Sequence, residues 1–346
     1  MGKNKNILWI DYLRVFATFG VIIVHTTYAL LYKYGSVSSF DWWTGNFYGS
    51  FVRFGVPIFL IISGTLILPK TYQSIGEYLK KRFLRILFPF LFWSFIYIAG
   101  NLYLKIAEGE HLTIFESLKF ILVQFRDGAS FHLWYIYLIL GLYLFFPIIG
   151  KWLNNSSKRE IEYFIVIWLI AIFAALPFMK NFVPKIEIMY FSGYIGFPVL
   201  GYYLSKTAFN FDGKKSVYLL FVLAGVAVTM FGTNFIVKQE GFFVESFYNY
   251  LTPNVILLSA GIFLLFKNFA GFSEKTNSVI IFIGKYSYGI YLVHILVLWL
   301  LAKFGFSYTL ISPIVGIPIT GFLCLIISTF IIFIINKIPF GKYISG

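Results

Sequence analysis

The feature that most limits how this chain can fold is its series of apolar runs, each close to the length that crosses a lipid bilayer. A membrane-spanning helix needs about 20 mostly apolar residues. The sequence therefore predicts an all-α integral membrane protein, a bundle of about ten transmembrane helices in a single transmembrane domain that covers the whole chain. The ten runs are 8–31, 47–68, 84–105, 132–150, 161–178, 189–204, 216–237, 249–267, 279–302 and 312–335.

The composition excludes most other classes of protein. Charged residues make up 12% of the chain and hydrophobic residues 59%, whereas an average soluble domain carries about a quarter charged residues. So few charges cannot cover the surface of a soluble protein of this length, and the same apolar content argues against disorder. The single cysteine, Cys324, excludes an internal disulfide and a thiolate metal cluster, and we interpret it as a packing residue.

The positive charge of the chain is unevenly distributed between the connecting segments. The segments on one predicted side hold most of the 28 basic residues and fewer than half of the 14 acidic ones. Membrane proteins collect Lys and Arg on their cytoplasmic side. Both termini are therefore predicted to be cytoplasmic, and the net charge of +14 needs no nucleic-acid partner to explain it.

Two segments depart from the pattern of plain spans. The sixth run is short and contains several glycines and a proline, which predicts a kinked or broken helix. The longest connection, 106–131, has apolar residues at helical spacing. It predicts a short amphipathic helix in the outer interface, either an ordinary interfacial helix or a lid. Those apolar residues are Ile114, Leu118, Ile121, Leu122 and Phe125.

The first run contains three ionisable residues, Asp11, Arg14 and His25. Charges within a span are costly and mark functional candidates. Eleven residues at about 100° each place Arg14 and His25 on one helix face, about 16 Å apart along the axis. The two could line one pocket, with Asp11 beside Arg14. Alternatively, Arg14 extends to the inner interface and His25 bonds a neighbouring helix.

Three other ionisable side chains lie in predicted spans. Arg53 is either paired with an acidic loop residue or functional. His132 begins the fourth run beside Trp134, where an aromatic interface belt is the expected role. His294 lies within the ninth run, where core packing is the default expectation.

A basic run, with Lys80, Lys81, Arg82 and Arg85, precedes the third predicted helix core. Arg82 and Arg85 share a helix face and could hold a phosphate or pyrophosphate, although they could also only anchor the helix. The sequence has no phosphate-binding loop, no nucleophile elbow and no metal-spaced His/Glu pair, so we expect no metal site. These residues alone leave a transporter and an enzyme equally open.

Five segments together resemble the acyltransferase-3 family of membrane acyltransferases, especially its small stand-alone O-acetyltransferases of enterobacterial-common-antigen type. The segments are WIDYLRVFATFGVIIVHTT, RFGVPIFLIISG, the arginine pair, FHLWYIYLILGLYLFFP and YSYGIYLVH, in the family's order. The middle of the chain, about 150–245, matches weakly.

The resemblance implies transfer of an acyl group, usually acetyl, from cytoplasmic acyl-CoA to a hydroxyl of an envelope glycan. It implies catalytic roles for His25 and Arg14, with Asp11 orienting Arg14. Acyl-CoA would be a co-substrate bound by Arg82, Arg85 and Lys81, and no cofactor would be permanently bound. We expect His25 to act as general base or acyl carrier and Arg14 to position the donor and stabilise negative charge.

The acceptor is expected to be a lipid-linked sugar or other envelope glycan that enters from the outer half. The residues expected to bind it are Arg53, Ser63, His132, Trp134, Tyr291 and His294. The resemblance implies a bacterial inner membrane as the location and leaves self-association open. The alternative function is a transporter or flippase that exports an envelope polysaccharide or a lipid-linked sugar.

Overall fold

The computed structural model describes residues 5–179, 193–207, 214–269 and 271–346, and in these ranges the regular elements are all helices. The α-helices are α1 Lys5–Leu31, α2 Ser39–Phe51, α3 Gly55–Ile67, α4 Ile75–Ala107, α5 Ile114–Asp127, α6 Trp134–Asn155, α7 Lys158–Ala174, α8 Gly196–Lys206, α9 Lys215–Glu240, α10 Pro253–Lys267, α11 Glu274–Lys285, α12 Ser287–Lys303 and α13 Pro313–Lys337. Short 3₁₀ turns include Phe131–Leu133, directly before α6.

Six helical stretches of the described chain are long and apolar enough to cross a membrane, and a bent pair raises the number to seven. This confirms the all-helical, multi-pass class. The predicted count of ten stays a prediction, because α7, α8 and α10 are apolar but shorter than a full span. The first part of the sixth predicted run, 189–192, lies outside the described residues.

Two of the predicted helices are interrupted. The second run is divided at Val52–Phe54 into α2 and α3. The ninth run bends by 73° between α11 and α12. Apolar periodicity does not reveal such breaks, since both halves remain apolar and helical. The breaks matter because one contains Arg53 and the other places Gly284, Lys285, Ser287 and Tyr288 along one cavity wall.

Helix α1 is the centre of the bundle. It packs against α2, α3, α10, α11, α12 and α13. Leu13, Ala17 and Ile22 on this helix are almost completely buried. A polar side chain on α1 therefore faces other helices at most positions around its axis.

Helices α3 and α8 approach so closely that only glycine fits at their contact. A Cβ atom added to Gly64 would lie 2.0 Å from the backbone oxygen of Pro198, and one added to Gly201 would lie 2.1 Å from that of Ile61. Small residues permit this kind of backbone approach between membrane helices. The contact holds α3, and with it Phe59 and Ser63, in a defined position.

The amphipathic helix predicted in the long connection is present as α5. It begins with a capping box, in which the Thr113 hydroxyl accepts from the backbone of Glu116 and the Glu116 carboxylate accepts from that of Thr113. The hydrogen bond from the Thr113 hydroxyl is the main reason that the pKa of Glu116 lies below its usual value. Ile114 and Leu122 are strongly exposed, whereas Ile121 and Phe125 are partly buried against the bundle, so the described protein covers the apolar face of α5 only in part.

Candidate active site

A cavity of about 470 Å³ lies between α1, α3, α4, α6 and the α11–α12 bend. This volume is typical of small-molecule and cofactor sites. Five basic residues and no acidic residue line it among the described residues. The basic residues are Arg14, Lys70, Arg82, Arg85 and Lys285. The concentration of positive charge makes the cavity suited to a ligand with several negative charges.

Arg82 and Arg85 provide the two guanidinium groups on α4. Their i, i+3 spacing places both in the cavity wall, as the helical pattern predicts. Neither forms an ion pair or hydrogen bond within the described chain, and Arg82 Nε is buried without a partner. An arginine pair without acidic partners is free to bind phosphate oxygens in a bidentate manner. Lys81 is exposed and does not line the cavity, and its role in binding acyl-CoA stays a prediction.

Arg14 enters the cavity from α1 and is paired with Asp11. Its Nη1 donates to Asp11 Oδ1 over 2.9 Å, at i, i+3 spacing. The Arg14 side chain is 30% exposed and the Asp11 side chain is 16% exposed. The pair leaves the rest of the Arg14 guanidinium available to a ligand, and Asp11 holds the group in one orientation.

Ser63 and Tyr291 also line the basic cavity. The Ser63 hydroxyl donates to the Phe59 carbonyl over 2.9 Å, along its own helix. Ser63 therefore lies in the basic cavity with Arg14, and its predicted place in the outer half with His132 is wrong. The reason is that Ser63 lies near the end of the second run that leads to Lys70 and α4, which line the same cavity.

A narrow seam continues from the cavity between α1, α3 and α12. Its walls include Thr18, Phe59, Tyr291 and His294, and it is too narrow for a water molecule. Phe59 and Tyr291 line both the cavity and the seam. The side chains of Phe59 and Tyr291 therefore lie between the basic cavity and the polar residues on the far side of the seam.

One face of α1 follows this whole path. Arg14 lines the cavity, Thr18 and Ile22 line the seam, and His25 packs against His294 beyond it. The predicted common face of Arg14 and His25 is thus present. The two do not share one open slot, however, because the seam between them is closed.

Three histidines from distant parts of the chain meet beyond the seam. The ring centroids of His25 and His294 are 5.2 Å apart, those of His132 and His294 are 5.1 Å apart, and those of His25 and His132 are 6.5 Å apart. The described His, Cys, Asp and Glu side chains form no group that could hold a metal ion. The arrangement is instead suited to proton transfer, for which imidazole is the usual side chain.

The hydrogen bonds of the two buried histidines leave one nitrogen of each unused. His294 Nδ1 lies 2.6 Å from the Tyr291 carbonyl oxygen, and His132 Nδ1 lies 3.0 Å from Ser130 Oγ. Both Nε2 atoms are buried without a hydrogen-bond partner. His132 and His294 are about 1% and 0% exposed, so the interface-belt interpretation of His132 is wrong. The 3₁₀ turn before α6 directs this ring inward.

His25 is the most accessible of the three. It retains partial exposure and forms no hydrogen bond with the described residues, while the ring of Phe131 lies edge-on at 5.2 Å. Its imidazole is therefore free to meet a ligand, whereas the other two rings are enclosed by protein.

Arg53 lies in the turn between α2 and α3 and is 2% exposed. It forms no ion pair within the described chain, so pairing with an acidic residue is not what holds it there. Its Nη2 donates to the Tyr248 carbonyl, and its guanidinium lies over the rings of Tyr248 and Tyr250, at 5.2 and 4.2 Å. Its Nε and Nη1 are buried without partners. The ring of Trp134 stacks on the ring of Tyr250, with the two ring centroids 6.0 Å apart.

Several residues of the site escaped the sequence analysis. Lys70 and Lys285 lie in the cavity wall, and Tyr250 lies between Arg53 and Trp134. The helical spacing of Tyr291 and His294 could have revealed their common face. No local pattern indicates that Tyr250 meets Arg53, since that contact joins segments far apart in the chain.

Three comparisons with known proteins were made, and one of them identifies the family of this chain. A search of curated proteins and a search of solved structures each returned no match. A family model described as an acyltransferase domain, Acyl_transf_3, matches residues 7–335. That range includes α1 from its third residue onward, the residues that line the basic cavity and all three clustered histidines. The chain therefore belongs to the acyltransferase-3 family and is a multi-pass membrane acyltransferase.

Proposed function

We propose that this protein transfers an acyl group, in particular an acetyl group, from acyl-CoA to a hydroxyl of an envelope glycan or lipid-linked sugar. The observation that supports this most is the alignment of two different environments along one face of α1. A strongly basic cavity lies at the Arg14 end, and a histidine cluster lies at the His25 end. An anionic donor and a hydroxyl acceptor need these two environments.

The donor is proposed to bind in the basic cavity. The phosphates of CoA carry several negative charges, and Arg82 and Arg85 have no acidic partner in the described chain that would compete for them. Arg14 lies deeper along the cavity, where it would hold the donor in line with the seam. Because α1 is continuous, Arg14 stays about 16 Å from His25 along the axis and positions the donor rather than touching a thioester at His25.

The chemistry is proposed to take place at His25. In this proposal its free imidazole removes the proton of the acceptor hydroxyl while the oxygen attacks the thioester carbonyl. The seam must open for the thioester to reach this point, and Phe59 and Tyr291 are the side chains that would have to move. Direct transfer and a transient acyl-histidine remain two routes through the same residue.

The acceptor is proposed to bind beside the stack that Arg53, Tyr250 and Trp134 form. Trp134 is partly exposed and offers an aromatic face to the apolar side of a sugar ring. The buried Nε and Nη1 of Arg53 have no hydrogen-bond partner in the described chain and would become donors to the sugar if this stack opened. Helix α1, which carries His25, packs against α2 and α3, on either side of Arg53. A glycan bound there would bring a hydroxyl near the base.

The function can be tested with purified protein in lipid nanodiscs, [¹⁴C]acetyl-CoA and a polyprenyl-diphosphate-linked N-acetylhexosamine. We expect labelled sugar lipid, and we expect Arg14→Ala to abolish it. Movement of the sugar lipid across a vesicle membrane without any donor, and with no label transferred, would contradict the proposal in favour of transport. Replacing acetyl-CoA by succinyl-CoA tests the size of the acyl group.

The location is proposed to be a bacterial inner membrane, with both termini cytoplasmic. Since Cys324 is the one cysteine of the sequence, Cys324→Ser gives a background for single reporters. An impermeant maleimide added to spheroplasts should label Glu110→Cys and leave Lys342→Cys unlabelled until the membrane is opened. The reverse pattern would contradict this topology.

A further inference from the structure

The proposed reaction leaves one proton to be accounted for. The acceptor hydroxyl loses its proton on the His25 side, whereas the CoA thiolate departs toward the basic cavity. The closed seam between them has no space for a water molecule, and the pantetheine arm would fill the seam when it opens. A group that lies in the seam and can both accept and release a proton would connect the two ends.

His294 has the position that this transfer requires. It lines the seam with Thr18, Phe59 and Tyr291, and its ring centroid is 5.2 Å from that of His25. Its side chain is completely buried, so bulk solvent does not compete for the proton. His132, the third member of the cluster, does not line the seam.

The hydrogen bond of His294 also selects its tautomer. The Tyr291 carbonyl can only accept, so Nδ1 of a neutral His294 must carry the hydrogen over this 2.6 Å contact. Nε2 then has a free lone pair, and this atom is buried without a partner. A backbone carbonyl that fixes the tautomer of a histidine is a common way to hold its other nitrogen ready for chemistry.

We propose that His294 is a catalytic proton relay that carries the acceptor's proton from His25 to the departing CoA thiolate. The inference rests on the proposed acyl transfer. The new C–O ester bond forms as the C–S thioester bond breaks, and His25 takes the hydroxyl proton. His25 passes that proton to Nε2 of His294, and Nε2–H then protonates the sulfur. Both histidines return to the neutral state, and the products are the ester and CoA with a free thiol.

The order of proton affinities favours this direction. Free imidazolium has a pKa of about 6.5 and a free alkyl thiol one of about 8.5, so a thiolate takes a proton from an imidazolium downhill. The relay therefore needs no further acid. It also prevents the thiolate, a good nucleophile, from attacking the new ester and reversing the reaction.

The experiment compares His294→Gln and His294→Asn with the wild type in nanodiscs, using [¹⁴C]acetyl-CoA and the polyprenyl-diphosphate-linked N-acetylhexosamine. The asparagine amide can still donate to the Tyr291 carbonyl but cannot accept a proton. We expect kcat to fall about 10²–10⁴-fold in both variants, with the Kd for acetyl-CoA changed by less than about twofold. The matched control is Cys324→Ser, whose Sγ lies 3.5 Å from the His294 carbonyl oxygen and which should keep at least half the activity.

Three outcomes overturn the relay. One is near-normal kcat in His294→Asn, which would show that His294 contributes to activity only through its hydrogen bond to the Tyr291 carbonyl. Another is loss of acetyl-CoA binding together with activity, which would make His294 a structural part of the donor site. The third is an equal loss of kcat in Cys324→Ser, which would show that packing is the cause. If the wild type transfers no label, the proposed function fails and the relay fails with it.

Discussion

The hydroxyl of Tyr291 donates a hydrogen bond to the backbone carbonyl of His132. Tyr291 lines the basic cavity and the seam, and His132 belongs to the histidine cluster, so this bond joins the wall of the basic cavity to the histidine cluster. The backbone carbonyl of Tyr291 also accepts a hydrogen bond from Nδ1 of His294. One tyrosine thus fixes two of the three clustered histidines.

Tyr291→Phe should therefore disturb the cluster while leaving the ring in the seam. A buried carbonyl that loses its donor costs about 1–3 kcal/mol, so we expect a lower melting temperature in detergent. We also expect a lower kcat with an unchanged KM for acetyl-CoA. Tyr103→Phe, at an exposed tyrosine on α4, is the control. An unchanged melting temperature and kcat in Tyr291→Phe would show that the bond to His132 is dispensable.

His25→Ala should be folded and nearly inactive. Loss of a general base reduces rates about 10²–10⁴-fold, and the partly exposed ring has no hydrogen-bond partner in the described chain whose loss would destabilise the fold. The measurements are acetyl transfer and the thermal melting of the purified protein. His111→Ala provides a matched control, since His111 is an exposed histidine in the connection before α5. Near-normal transfer by His25→Ala would end the proposed role of this residue.

Arg82→Ala should weaken donor binding more than it slows the chemical step. Loss of a charge-assisted hydrogen bond of about 1.5–3 kcal/mol corresponds to roughly a 10–100-fold rise in the KM for acetyl-CoA. Lys80→Ala removes an exposed charge from the same helix outside the cavity and should change KM little. If both variants raise KM equally, the positive charge of α4 as a whole attracts the anionic donor, and the cavity is not the donor site.

Gly64→Ala should destabilise the bundle. Its new Cβ would lie 2.0 Å from the backbone oxygen of Pro198, so α3 and α8 must separate. Overpacking of this kind costs about 1–3 kcal/mol, which thermal melting in detergent would detect. Gly100→Ala on α4 meets no atom within 4 Å and should be neutral or slightly stabilising. Equal melting of wild type and Gly64→Ala would mean that the α3–α8 contact is looser than described.

Part of the site follows from local sequence patterns. The i, i+3 spacing of Arg82 and Arg85 and the eleven-residue spacing of Arg14 and His25 require only that the segments be helical. The structure retains both relationships, on α4 and along α1. Such inferences succeed because the period of an α-helix is a local property.

The errors share a different cause. Ser63 and His132 were each assigned an environment from the sequence that the structure does not bear out. Ser63 on α3 lines the basic cavity, and His132, in the 3₁₀ turn before α6, is buried beside His294. Whether an ionisable side chain faces a cavity, a helix or the surface depends on its neighbours in space, which a hydropathy pattern does not name.

The sequence by itself determined that this chain is a helical membrane protein and that its first helix presents a guanidinium and an imidazole on one face. Low charge content and helical periodicity are sufficient for both. Only the tertiary structure decided that His132 and His294 join His25, and that a closed seam separates them from the basic cavity. Those contacts join residues far apart in the chain, and they arise from the packing of α1, α6 and α12 together with the bend before α12, which no local pattern encodes.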